Sequence, residues 1–91
     1  MGEKDADEDL MLRYSAGDAA AFDMLYHRHK GSLYRYLLRQ CGQRSIAEEL
    51  FQDIWMKIVK SRQSYHASAS FKTFLFTVAH NRLIDYYRRG K

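Results

Sequence analysis

Residues 61–89 read SRQSYHASAS followed by FKTFLFTVAHNRLIDYYRR, a polar loop of small residues that leads into an amphipathic helix. On a helical wheel the apolar side chains of this helix share one arc, which consists of Phe71, Phe74, Leu75 and Val78. The opposite arc carries hydroxyl, amide, aliphatic and guanidinium groups, at Thr73, Thr77, Asn81, Ile84 and Arg88. The pattern predicts a helix that buries one face in a core and leaves a polar face in water.

The rest of the chain favours the same kind of structure. None of the 91 residues is proline, and no segment alternates polar and apolar residues as a half-buried strand would. Helices of this length are marginal alone in water, so their apolar faces should pack together. The sequence therefore predicts an all-α protein, a compact bundle of about four helices that forms a single domain over residues 1–91.

Turn and cap residues mark the first two predicted helices. A short helix starts near Asp7 and stops at the Ser-Ala-Gly sequence at 15–17. Asp18 is the predicted N-cap of a long second helix, which continues through Gly31 and ends at Gly42.

A capping box of Ser45 and Glu48 is predicted to start the third helix. Its outward side carries an acidic stripe with an apolar edge, spaced three or four residues apart, at Glu49, Gln52, Asp53 and Met56. Such a stripe is most often a solvated helix face. It would also suit docking of a basic partner helix, with Met56 and Trp55 as apolar anchors.

The loop at 61–70 and the fourth helix, whose predicted N-cap is Ser70, carry groups that can hold unpaired nucleic acid. Aromatic side chains stack on bases for ~1–3 kcal/mol each and cations contact phosphates, while an asparagine amide can pair with a base edge. The predicted DNA-binding residues are Tyr65, His66, Lys72, Thr77, Asn81, Arg82, Arg88 and Arg89. The alternative is an ordinary linker and an ordinary amphipathic helix.

The charge distribution favours a polyanionic partner. The formal net charge is +4, and residues 1–9, with five acids and one lysine, carry −4, which leaves +8 on residues 10–91. A basic body of this kind suits nucleic acid, although basic surfaces also serve solubility alone.

Other classes of protein are disfavoured. Cys41 is the only cysteine, which excludes a disulfide framework and a cysteine-based zinc site. His27 and His29 would point about 200° apart on a helix and cannot chelate one metal. Without a glycine-rich phosphate loop or a nucleophile motif, the chain is predicted to have no metal, no cofactor and no enzymatic activity.

No apolar run approaches the ~20 residues of a membrane span, which predicts a cytoplasmic protein without membrane insertion.

Two motifs resemble the second conserved region of bacterial RNA polymerase sigma factors. They are AEELFQDIWMKIV at 47–59 and FKTFLFTVAHNRLIDYYRR at 71–89, in the order and spacing of that region. The similarity is greatest to the extracytoplasmic-function (ECF) subfamily, whose opening resembles DLMLRYSAGDAAAFDMLYHRHKGSLYRYLLRQCG at 9–42. The resemblance covers nearly the whole chain. It implies a promoter-recognition domain that docks on RNA polymerase core and recognises and melts the promoter minus-ten element.

The resemblance also implies partners for particular segments. The docking helix of the family, which binds the clamp coiled coil of the largest polymerase subunit, corresponds to 47–59, and its polar contact positions are Glu49, Gln52 and Asp53. The specificity loop, which holds a flipped base of the nontarget strand, corresponds to 61–70, and the promoter-reading helix to 71–89. Asn81 matches the asparagine of that helix. Cations that would contact the DNA backbone stand at Lys72, Arg82, Arg88 and Arg89.

The chain departs from the family pattern in two ways. Ile46 replaces the acidic residue usual at the start of the docking helix. Family members also continue into a second helix-turn-helix domain, which binds the minus-thirty-five element and which this sequence lacks; an excised domain is the interpretation we favour. Since family members are often held inactive by an anti-sigma factor, such a factor is a further expected partner.

Two other functions are compatible with parts of the pattern. A helical adaptor would use the acidic stripe to bind a protein and would carry its basic end incidentally. A duplex-binding helix-turn-helix regulator would need two short helices joined by a tight turn, and the loop at 61–70 is too long for that.

Overall fold

The computed structural model describes residues 5–65 and 70–89, and these fold into α-helices joined by short connections. The helices are α1 (Asp7–Ser15), α2 (Ala19–Cys41), α3 (Arg44–Lys60) and α4 (Phe71–Arg88), with a 3₁₀ turn at Arg62–Ser64 after α3. Neither described range contains a strand. The predicted all-α bundle of about four helices is confirmed.

Most of the predicted helix ends are confirmed as well. The Asp18 carboxylate accepts a hydrogen bond from a backbone N–H in the first turn of α2 at 3.1 Å, and α2 continues through Gly31 without a break. Gly42 ends α2 with a φ of 74°, in the left-handed region. Glycine adopts this conformation with little strain because it has no Cβ. At the start of α4, Ser70 Oγ accepts a hydrogen bond from the Thr73 N–H at 3.1 Å.

The predicted capping box of the third helix is wrong. α3 begins at Arg44, and its N-cap is Gln43, whose side chain makes no capping hydrogen bond. Only Gly42 and Gln43 separate α2 from α3. Because this connection is so short, helical backbone starts before Ser45, which lies inside the first turn and cannot serve as its N-cap.

The core consists of aliphatic and aromatic side chains from all the helices. Its members repeat at helical spacing and include Leu10 and Met11 in α1, Leu25, Leu33 and Leu37 in α2, Leu50, Ile54 and Ile58 in α3, and Phe71, Leu75 and Ala79 in α4. The apolar arcs of the sequence pattern therefore meet in one place.

Trp55 belongs to an aromatic cluster between α2 and α3. Its ring centroid lies 5.2 Å from that of Tyr26, 5.8 Å from that of Phe22 and 6.3 Å from that of Phe51, in edge-on arrangements. Only 6% of Trp55 is exposed. The prediction that Trp55 is an anchor for a partner is wrong, because aromatic residues of the chain itself already cover it.

The packing order places α3 and α4 side by side, so their outward faces are neighbours. α1 packs on α2 and also contacts α4 and the 3₁₀ turn. None of the helices that the structure describes is both long enough and apolar enough to span a bilayer.

Candidate nucleic-acid interface

The outward side of α4 is exposed along the length of the helix. We call Thr73, Thr77, Asn81, Ile84 and Arg88 the α4 polar face; all of its members are exposed, opposite the buried side that begins with Phe71 and Leu75. Lys72 and Arg89, near the two ends of α4, are exposed as well. The two arcs predicted for this helix are confirmed.

Arg82 is held by carboxylates at hydrogen-bond distance, unlike Lys72 and Arg88, the other predicted DNA-binding cations within α4. Its Nη2 and Nε donate to Asp53 Oδ2 at 2.9 and 3.1 Å, and its Nη1 donates to Asp85 Oδ2 at 3.4 Å. The Arg82 side chain is only 26% exposed. The structure thus brings together one predicted DNA-binding residue, Arg82, and one predicted polymerase-binding residue, Asp53.

A cleft of about 390 Å³ separates α3 from α4 around this ion pair. Its polar lining consists of Asp53, Lys57, Asn81, Arg82 and Asp85. Asn81 is exposed at this cleft, so its amide can present both a donor and an acceptor to an incoming group. The cleft therefore offers hydrogen-bonding groups of both kinds next to the α4 polar face.

Tyr65 does not lie on the surface. It is 7% exposed, and its ring packs edge-on against Phe74 with the centroids 5.4 Å apart. Burial raises the pKa of the Tyr65 hydroxyl, and the nearby carboxylates of Glu8 and Asp7 raise it further. A ring with so little exposed area does not fit the predicted stacking on a base. His66, predicted to act beside it, falls outside the described residues.

The outward side of α3 carries the second group of predicted contacts. We call Glu49, Gln52, Asp53 and Met56 the α3 acidic face; all of them are exposed, and Met56 is 54% exposed. Gln52 and Met56 also border a shallow apolar groove of about 280 Å³ between α2 and α3. The α3 acidic face therefore combines negative charge with an apolar edge, as the sequence pattern predicts.

Comparison with known proteins assigns the family. The family model for sigma-70 region 2 matches residues 25–91, which include α3, α4 and most of α2. This chain belongs to the sigma-70 region 2 family.

Sigma factors of two bacterial species illustrate the similarity. RNA polymerase sigma factor YlaC of Bacillus subtilis (strain 168) is 32% identical over 65 residues, which cover 71% of this chain and 38% of that protein. ECF RNA polymerase sigma factor SigM of the same organism is 36% identical over 69 residues, 76% of this chain and 42% of that protein. ECF RNA polymerase sigma factor BldN of Streptomyces coelicolor is 26% identical over 84 residues, 91% of this chain and 32% of that protein.

This region 2 chain spans less than half the length of those relatives. No solved structure shows a significant match to it. The relatives bear out the ECF-type region 2 identity that the two sequence motifs implied.

Sequence reasoning missed one set of residues in this region 2 chain. Glu8 Oε2 accepts a hydrogen bond from the Phe71 N–H at 2.6 Å, and Asp7 contacts Arg28 at 2.9 Å and His29 at 2.7 Å. These acids lie before the segment that the family model matches, and in the sequence they appear only as part of an acidic N-terminal stretch. No local pattern signals their role, because their partners lie 21 to 63 positions away.

Proposed function

We propose that this chain is the promoter-recognition domain of an ECF-type sigma factor, which docks on RNA polymerase core through α3 and captures the melted nontarget strand of the minus-ten element with α4. The observation that carries the proposal is the pair of neighbouring exposed faces on a region 2 fold, one acidic and one with amide, hydroxyl and cationic groups. Capture of this kind is binding rather than catalysis, so no chemical step is assigned to any residue.

The α4 polar face supports contact with unpaired bases. An amide has a donor and an acceptor side by side and can pair with a base edge, which suits Asn81. Thr77, one turn before Asn81, is exposed on the same face and can hydrogen-bond in either sense. Base contacts of this kind would specify sequence, whereas phosphate contacts would only position the strand.

Phosphate contacts are best supported for the cations that the protein leaves exposed. Lys72, Arg88 and Arg89 are exposed, and Arg89 makes only a long contact of 3.5 Å with Asp85. Arg82 would have to exchange Asp53 and Asp85 for a phosphate, so we assign it a smaller part in DNA binding. The ring of Tyr65 is buried. We therefore assign Tyr65 to anchoring the 61–70 loop on the protein rather than to stacking on a nucleobase.

The α3 acidic face supports docking of a basic partner. Glu49 and Gln52 are exposed and make no hydrogen bond or ion pair within the described part of the chain, so both are available to a partner. Met56 would contribute apolar area at the edge of the same face. We propose the clamp coiled coil of the largest polymerase subunit as this partner, and an anti-sigma factor would act by covering one of the two faces.

A binding experiment tests the DNA part of the proposal. The chain is titrated with labelled short single strands from a randomised pool and with duplexes of the same length, over a series of salt concentrations. Weak binding to single strands is expected, with enrichment of particular sequences. The logarithm of the affinity should fall with the logarithm of the salt concentration, with a slope proportional to the number of phosphates contacted. Extruding a base costs a few kcal/mol, so duplex of arbitrary sequence should bind less well.

Two results would contradict the proposal. Equal or tighter binding to arbitrary duplex would rule out single-strand capture. Binding to single strands without any sequence preference would favour the adaptor, whose basic end attracts any polyanion.

A further inference from the structure

The start of α4 is bonded to α1, which is distant in the sequence. Glu8, in the first turn of α1, accepts the Phe71 N–H at 2.6 Å, and Phe71 is the first residue of α4. Ser70 Oγ takes the N–H of Thr73. Two of the N–H groups that a helix N-terminus leaves without intrahelical partners are thus satisfied, one of them by a carboxylate that the helix dipole favours.

The turn of α1 that carries Glu8 is tied to α2 through the neighbouring residue Asp7. Asp7 bridges to Arg28 and His29 of α2, and the His29 ring lies 5.4 Å from the Phe71 ring. Phe71 is fully buried. The first turn of α1 and the first turn of α4 therefore form one packed unit with the middle of α2.

The other end of the connection between α3 and α4 is also anchored near α1. Tyr65 packs on Phe74, and the Arg62 guanidinium lies 5.2 Å from the centroid of the Tyr14 ring. Ser15, at the end of α1, donates a hydrogen bond from Oγ to the Arg62 carbonyl. The residues on both sides of 66–69 are thus fixed against the same short helix.

We propose that Glu8 is a positioning residue for DNA recognition: by bonding to Phe71 it fixes the start of α4, and with it the direction in which Asn81 and the rest of the α4 polar face point. This inference rests on the proposed function. It assigns sequence discrimination to a residue that lies before the segment matched by the family model.

The test uses three variants and two measurements. Glu8→Ala removes the bond to Phe71, and Glu8→Gln keeps an oxygen acceptor there. Asp9→Ala is the matched control, because Asp9 is an exposed acid of the same α1 turn without a hydrogen bond or ion pair in the described structure. Each variant is compared with the parent chain by sequence enrichment from the randomised single-strand pool and by amide hydrogen exchange at Phe71 and Thr73.

Glu8→Ala is expected to flatten the sequence enrichment several-fold and to speed exchange at Phe71. Glu8→Gln should recover most of the enrichment, and Asp9→Ala should match the parent in both measurements. Flattening by Asp9→Ala to the same extent would overturn the inference, since loss of charge alone would then explain it. Unchanged amide exchange at Phe71 in Glu8→Ala would overturn the inference as well, whatever the result for sequence enrichment.

The two proposals fail in different ways. A parent chain that shows no sequence enrichment contradicts the proposed function, and with it the role of Glu8 in recognition. A parent chain that shows enrichment which Glu8→Ala leaves intact contradicts only the role of Glu8.

Discussion

The α3 acidic face and the α4 polar face arise from the same architecture and differ only in what they present to the outside. Both helices bury an apolar side in one core and lie next to each other. α3 turns carboxylates and a methionine outward, whereas α4 turns an amide, hydroxyls and a guanidinium group outward. The comparison shows that helical periodicity sets which side is buried, while the identity of the remaining residues sets which partner each side can bind.

The two faces are not fully separate. The Arg82–Asp53 ion pair links Asp53 of the α3 acidic face to α4 across the cleft, so Arg82, which lies beside the α4 polar face, partly neutralises the charge of Asp53. Variants that test the two faces should therefore use residues outside this pair wherever the chain offers them.

The largest effect is expected for Glu49→Lys on polymerase binding. Placing a cation against a basic partner costs several kcal/mol, so we expect a loss on the order of 3 kcal/mol, about a hundredfold in Kd, for a purified clamp coiled coil. Single-strand DNA affinity should stay near that of the parent. Asp9→Lys, the same charge reversal at an exposed site on α1, is the control, and an equal loss in both variants would remove the α3 acidic face as the docking site.

Much of the difference between the two faces could be predicted from the sequence, because it depends on residues that are close together in the chain. The arcs of α4 and the exposed stripe of α3 follow from helical spacing, and Asp18 and Ser70 act on N–H groups within three residues of themselves. The start of α3 was predicted wrongly because Ser45 matches a local signal that a short connection overrides. The burial of Trp55 and the bond from Glu8 to Phe71 depend on residues far away in the chain, which periodicity does not reveal.

The next largest effect is expected for Asn81→Ala on base preference. A well-paired amide gives ~1–3 kcal/mol of discrimination between bases. The variant should therefore lose preference at one position of the selected single strand while its salt slope stays the same. His80→Ala, at the adjacent exposed residue, serves as the control. Preserved discrimination in Asn81→Ala would show that the amide does not read a base.

Arg88→Ala and Arg82→Ala compare an exposed guanidinium with one already held by carboxylates. Arg88→Ala should weaken binding to all single strands alike and lower the salt slope by about 1, as expected for one lost phosphate contact. Arg82→Ala should lower the slope by less, since Asp53 and Asp85 already neutralise that charge. A larger slope change for Arg82 would mean that DNA displaces both carboxylates.

The smallest effect is expected for the ion pair itself. In a double-mutant cycle of Asp53→Asn and Arg82→Gln, measured by urea unfolding, the coupling energy should lie within ~0.2–1 kcal/mol, the range of partly exposed pairs. A coupling above that range would make the bridge a main support of the α3–α4 contact rather than a weak link between two faces.

The central claim is that two faces of one small bundle hold two partners at once, and a ternary binding measurement tests it directly. The chain is first saturated with a labelled single strand selected from the pool, and the clamp coiled coil is then titrated in while the anisotropy of the strand is recorded. The account predicts that the strand stays bound and that the complex grows in mass by one coiled coil. Release of the strand in proportion to the coiled coil added would contradict it, because the partners would then be competing for the same surface.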